Sequence, residues 1–154
     1  MTLGYATAFT VINNREVELA QRIAAQTPGD LNRIFFTTGG STAVDSALRL
    51  CQLASNIKGQ PQRKHILTRE KAYHGSTYLS ASVTGKERDK TALDIMRDGI
   101  HFLSAPFHFY HPLFETASAF FYFFVYLMEL YFLSLGADII MCFFFYPIFS
   151  IGVF

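Results

Sequence analysis

The sequence predicts an α/β fold in which a mostly parallel sheet is flanked by helices. Two observations carry that expectation. Short apolar runs at Ile34–Thr37, His65–Thr68 and Ile100–Leu103 alternate with stretches whose apolar residues recur at helical spacing. Two turns rich in glycine and hydroxyl residues, Thr37-Thr38-Gly39-Gly40-Ser41-Thr42 and Ala72-Tyr73-His74-Gly75-Ser76-Thr77, each follow one of the runs. In open α/β sheets ligands sit beyond the carboxyl ends of strands, so the two turns can converge on one rim.

The elements follow in order. Asn13-Asn14 precedes a helical stretch to about Gln26; Asn suits the cap, and Glu16 and Glu18 suit the positive end of the helix. Val17, Ala20 and Ala24 line one face, and Thr27-Pro28-Gly29-Asp30 closes the helix as a turn. After the run Ile34–Thr37, a second helix is expected from about Thr42 to Asn56. Its Val44, Ala47, Leu48 and Cys51 fall at i, i+3, i+4 and i+7, and Gly59 and Pro61 stop it. A strand at His65–Thr68, a short helix at Ser76–Val83, a charged, solvated loop at Lys86–Lys90 and a strand at Ile100–Leu103 complete the pattern.

The first turn carries chemistry. A strand that runs through two glycines into a helix aims backbone N–H groups and a helix dipole at one spot, which suits a phosphate. Glycine lets the main chain approach a ligand without a Cβ in the way. The plain alternative is a tight strand-to-helix connection.

The two turns together, in this order and spacing, resemble class III aminotransferases of the omega-amino acid–pyruvate type. The resemblance is close from Met1 to about Pro106, and best over Leu31–Gly59 and Lys64–Lys90. It implies part of the large domain of the fold-type I pyridoxal-phosphate transferase fold. By position, Gly40, Ser41 and Thr42 would hold the cofactor phosphate, and Tyr73 would stack on the pyridine ring. His74, beside it, is placed with the cofactor site in a positioning role rather than as a base. Many members carry Glu where this chain has Thr42. The implied cofactor is pyridoxal 5'-phosphate. The implied substrates are a small amine or omega-amino acid and an oxo acid such as pyruvate, and the implied parent is a cytoplasmic homodimer. The family's catalytic lysine and pyridine-binding Asp find no match. Lys58, Lys64, Lys71, Lys86 and Lys90 all stand in other surroundings, and Asp138 lies in a Gly-Ala-Asp turn. No catalytic residue is therefore assigned, and the chain alone is expected to be inactive.

Composition divides the chain. Its 154 residues carry 13 Lys and Arg against 12 Asp and Glu, a near-neutral balance that gives no argument for nucleic acid. Yet no Lys or Arg follows Arg97, and residues 107–154 hold most of the Phe and Tyr with only Glu115, Glu129 and Asp138 charged. The expected division is residues 1–106 as part of the cofactor-binding domain and 107–154 as an apolar, aromatic-rich tail. The runs 117–135 and 139–154 approach membrane-spanning length, but no basic residue flanks either. Leu135-Gly136-Ala137-Asp138 and Tyr146-Pro147-Ile148 still resemble the family's next helix and strand. The tail therefore reads as a degraded continuation of the same domain, with a helix over 118–135 and a strand over 138–146.

Other groupings read plainly. Cys51 and Cys142 have no partner spacing and are expected to be free thiols. His101, His108 and His111 read as loop histidines, so no metal site is assigned. Asp45 complements the helix dipole. Ser41 lacks the Gly-x-Ser-x-Gly elbow of a nucleophile. No signal-peptide pattern opens the chain. The alternatives to an aminotransferase fragment are a non-catalytic phosphate-binding or membrane-associated interaction protein, and an unstable product prone to aggregation through the tail.

Overall fold

A computed structural model describes residues 13–105, Tyr126, Leu130, Leu133, Ser134 and Ile140–Phe143. The chain divides into two compact units, Met1–Thr37 and Thr38–Phe154. The first contributes helix α1, Asn14–Ala24. Its start is fixed by a capping box: the Asn13 side chain accepts from the backbone of the first turn, and Glu16 accepts in return from the Asn13 amide. The run Ile34–Thr37, expected as a strand, is not one. Phe35 and Phe36 are exposed, and the run has no ladder partner among the described residues, without which β geometry gains nothing.

The second unit holds the sheet. Helix α2 spans Gly40–Ile57, strand β1 His65–Arg69, helix α3 Tyr78–Val83, strand β2 Ile100–Leu103 and strand β3 Ile140–Phe143, with a 3-10 turn at Glu87–Asp89. The strand order is β2-β1-β3, and both pairings are parallel. Ile66 lies opposite Ile100 on one side and Cys142 on the other, with an irregularity in the β3 register between His65 and Ile66. Parallel neighbours require crossovers, and α3 lies in the connection between β1 and β2. The mostly parallel α/β reading therefore holds. Of the strand expected at 138–146, Ile140–Phe143 is present as β3 and the remainder lies outside the described residues. Of the helix expected at 118–135, Tyr126, Leu130, Leu133 and Ser134 are helical and the remainder lies outside the described residues. No described helix is long and apolar enough to cross a membrane.

β1 is paired on both edges and is also covered on both faces. Side chains alternate along a strand, so Ile66 and Thr68 face one way and Leu67 and Arg69 the other, and all four are buried. On the first face Ile66 packs with Leu48 of α2 and Val83 of α3; Val44, Leu79, Met96 and Ile100 close around them. The apolar stripe read from the sequence of α2 therefore meets the sheet through Val44 and Leu48, while Leu50, Leu53 and Ile57 on other faces stay exposed.

After β1 the chain turns sharply at Glu70-Lys71-Ala72, with Lys71 at φ 61. A reciprocal pair of backbone bonds clamps that turn to Gly85: Lys71 N–H donates to Gly85 O (2.9 Å) and Gly85 N–H to Ala72 O (2.8 Å). Gly85 has no room for a side chain, since a Cβ there would overlap Arg69 O and lie 2.8 Å from Glu70 Cα. The Lys86–Lys90 segment differs from the solvated loop expected. Lys90 is buried at 5% exposure, with Nζ 3.4 Å from Glu87 and 4.2 Å from the centre of the Phe102 ring. Its long aliphatic stem allows burial while the ammonium keeps a carboxylate and a π-face.

Gly85→Ala should lower the stability of the chain by about 1–3 kcal/mol or more, because backbone atoms must move to admit the methyl. Gly40→Ala, where nothing stands within 4 Å, should be neutral or slightly stabilising. Urea unfolding midpoints of the two variants compare them directly.

Candidate functional site

The site grows from the start of α2. The helix begins at Gly40, two residues earlier than its periodicity predicts, with Gly39 as cap. Gly40, Ser41 and Thr42 therefore stand in the first turn, whose amides have no carbonyl four residues back to bond. The first helical bond of this end is Ala43 N–H to Gly39 O, 2.9 Å. Gly39 makes no side-chain cap, and a Cβ at Gly39 or Gly40 would meet nothing within 4 Å. The helix thus presents open amides beside open space. Thr42 differs from a free hydroxyl donor: its Oγ1 donates to Gly39 O at 2.7 Å.

The second turn is fastened to this helix end. Ser41 Oγ accepts from Ser76 N–H at 3.2 Å, and Thr77 Oγ1 donates to Ser41 O at 3.4 Å. Gly75, at φ 137, lies so close that a Cβ on it would overlap Ser41 Oγ and sit 2.8 Å from Ser41 Cα. Only glycine fits that approach and that backbone angle. Asp45, one turn further along α2, accepts from Ser80 N–H at 2.8 Å and so caps an open amide of α3. The sequence reading gave Asp45 to the dipole of its own helix. Its actual partner lies 35 positions away, and no local spacing signals it.

Tyr73 and His74 part company in their surroundings. Tyr73 is half exposed, with Lys86 Nζ 5.8 Å from its ring centre. His74 is 5% exposed and faces inward. Thr68 Oγ1 donates to Val83 O (2.9 Å), so at the 3.2 Å contact between Thr68 Oγ1 and His74 Nε2 it is the imidazole that donates. The His74 amide donates to Thr84 Oγ1 at 3.1 Å, and that hydroxyl reaches Gly75 O and Ser80 O. Burial pushes His74 below its ordinary value of 6.5, and the Arg69 charge adds to the effect. A neutral, buried imidazole bonded through Nε2 holds the turn rather than moving protons at a surface.

The remaining candidates are scattered. His101 lies in β2, not in a loop, and its Nε2 is 2.7 Å from His65 Nδ1 with the rings stacked. No group of three or more metal-binding side chains occurs among the described residues. His108, His111, Glu115 and Asp138 lie outside them. Cys51 is a free thiol.

Comparison with known proteins bears on this geometry. The class-III aminotransferase family matches over residues 3–121. A probable aminotransferase of Mycobacterium tuberculosis is 34% identical over 113 residues, 70% of this chain and 24% of that protein. The beta-alanine–pyruvate aminotransferase of Pseudomonas aeruginosa is 34% identical over 54% of this chain and 19% of its own length. Among solved structures, an (S)-enantioselective omega-transaminase from Thermomicrobium roseum superposes with a TM-score of 0.83 at 29% identity, over 92% of this chain and 32% of that one. An aminotransferase from Vibrio fluvialis, in its PMP-bound form, gives 0.80 at 31% identity, over 91% and 31%. The chain thus spans about a quarter of the first of these curated relatives and about a third of the solved structures.

Asp45→Ala should cost about 1–3 kcal/mol, the usual loss when a charge-assisted bond leaves an amide unpaired, and hydrogen exchange should quicken first at Ser80. A second expectation concerns pH. His74 binds its proton more weakly folded than unfolded, so the unfolded chain takes up more protons as pH falls below 6.5. Stability is full above that value and declines below it. His101 is lowered in the same direction by burial and by His65, and adds to the slope. His74→Gln should flatten, without abolishing, the fall in unfolding free energy between about pH 7 and pH 5, measured by urea titration at a series of pH values.

Proposed function

The chain belongs to the class-III aminotransferase family, and from that premise we propose that it forms part of the cofactor-binding layer of a pyridoxal-phosphate-dependent transaminase. The reaction is transfer of an amino group from an amine or omega-amino acid to an oxo acid such as pyruvate, as the names of the Pseudomonas aeruginosa beta-alanine–pyruvate and putrescine–pyruvate relatives suggest. The parent enzyme is proposed to act as a cytoplasmic homodimer.

The observation that carries the reading is the start of α2: open amides beside two glycines, tied through Ser41 to the Tyr73–Thr77 turn. These residues fit a phosphate. The amides of Gly40, Ser41 and Thr42 would donate to its oxygens, and the helix dipole would favour its charge. Ser41 Oγ already accepts from Ser76, which leaves its own hydrogen to donate. Thr42 serves through its amide, since its hydroxyl is committed to Gly39 O. Bound there, pyridoxal phosphate supplies an electron sink for the substrate. Tyr73 offers an exposed ring for stacking against the pyridine. His74 fixes the turn that carries it, anchored from below by Thr68 and Thr84.

Incubation of the purified chain with pyridoxal phosphate should give reversible binding that weakens by about tenfold in Ser41→Ala, the scale of one charge-assisted bond. Borohydride reduction should leave no single stoichiometric lysine adduct, and no amino group should reach pyruvate. Binding indifferent to Ser41→Ala would overturn the phosphate assignment. One stoichiometric adduct together with transfer to pyruvate would show that a lysine of this chain serves the reaction.

A further inference from the structure

A second concave site lies in the sheet-bearing unit, built from other residues. Lys71, Lys86, Arg88, Lys90, Arg97 and Phe102 line a cavity of about 710 Å³, where the acidic residues are fewer, Glu70 and Glu87. That basic excess matters because the chain as a whole is nearly neutral, with 13 basic and 12 acidic residues. Basic groups gathered around one concavity reinforce one another's field and favour an anion.

We propose that this cavity binds a small organic dianion of the dicarboxylate class. It goes beyond the transaminase reading and stands on residues that reading does not use for phosphate. Three features select the class. First, the basic groups come from three segments that the fold holds in place. Lys71 is kept in a left-handed conformation by its bond to Gly85, Lys86 follows that glycine directly, and Arg97 precedes β2. Lysine gains nothing from such a conformation in itself, so the fold imposes it. Second, the buried Lys90 ammonium is balanced by Glu87 and lies against the Phe102 ring, so that pair closes the wall and leaves Lys86 and Arg97 to meet an anion. Third, Phe102 and the stems of the lysines supply apolar surface. A dicarboxylate has a charge at each end for the lysines and the planar fork of Arg97, and methylene groups between them for the ring. The volume falls in the range of small-molecule sites and is roomy for an inorganic ion.

The test is titration calorimetry of the full 154-residue chain with succinate at constant ionic strength. Saturable one-to-one binding is expected, with acetate about tenfold weaker because it lacks the second charge-assisted contact. The double variant Lys86→Gln/Arg97→Gln should weaken succinate by about tenfold or more. Glu70→Gln removes a competing carboxylate and should tighten binding by about two- to fivefold. This second variant works in the opposite direction, so loss of fold cannot imitate its effect. Ser41→Ala should leave succinate affinity unchanged while weakening pyridoxal phosphate, which separates this proposal from the cofactor reading. Absence of saturable binding, equal affinity for acetate and succinate, indifference to the double variant, weaker binding in Glu70→Gln, or loss of succinate binding in Ser41→Ala would each overturn it.

Discussion

Gly75 lies so close against Ser41 that its missing Cβ leaves just enough room for the Ser41 hydroxyl, and the polar contacts between the two turns of the second unit depend on that approach. The approach is possible only because residue 75 has no Cβ and adopts a backbone angle open to glycine. Ser76 and Thr77 can then bond Ser41, and Asp45 can reach the start of α3. One face of α2 packs on the sheet through Leu48, while its first turn grips the loop that leaves the sheet. Apolar packing sets the distance between layers; these polar contacts set the register of one turn against the other. A shift of one residue would exchange the Ser76 amide for another group and put a Cβ where none fits.

Beneath that contact the interior is unusually rich in hydroxyls. Thr68, Ser80, Ser82 and Thr84 are all fully buried, and each has partners: Thr68 bonds Val83 O, the Ser80 hydroxyl bonds Thr77 O, Ser82 bonds Tyr78 O and receives the Met96 amide, and Thr84 links the His74 amide with the carbonyls of Gly75 and Ser80. A buried hydroxyl left alone would cost about 1–3 kcal/mol, so the pairing is a condition of burying these residues at all. Hydrogen bonds need direction, and a core that contains them tolerates fewer alternative packings than a purely apolar one. That rigidity holds the loop bearing Tyr73 steady while the ring itself remains half exposed.

What could be read from the sequence was what depends on neighbours along the chain. The Asn13 cap, strand β2 at Ile100–Leu103 and the starting residue of β1 follow from local composition and spacing. Strand β3 was legible through the remnant Gly-Ala-Asp and Tyr-Pro-Ile signals, although the apolar run around it has the composition of a membrane segment. The run Ile34–Thr37 misled because an apolar, β-branched stretch has strand propensity whether or not a partner strand is present. Asp45 and Lys90 misled for the opposite reason. A carboxylate on a helix and a lysine in a charged loop both look solvated until a fold brings Ser80 or Phe102 to them. The two turns of the candidate site were visible as motifs, but their attachment through Ser41, Gly75 and Ser76 is a fact of three dimensions.

The sheet's topology also sets an order of events for a chain leaving the ribosome. β1 begins at residue 65 and one of its two neighbours at residue 140, so the strand at the centre is made long before its second edge is covered. β2 can pair as soon as residue 103 emerges, leaving β1 with a bare row of amides and carbonyls on its other side. Such a row is a template for any extended segment, including one from another nascent chain. The interval between residues 103 and 140 is therefore when the growing chain is most exposed to mispairing, and the segment synthesised during it is rich in aromatic side chains.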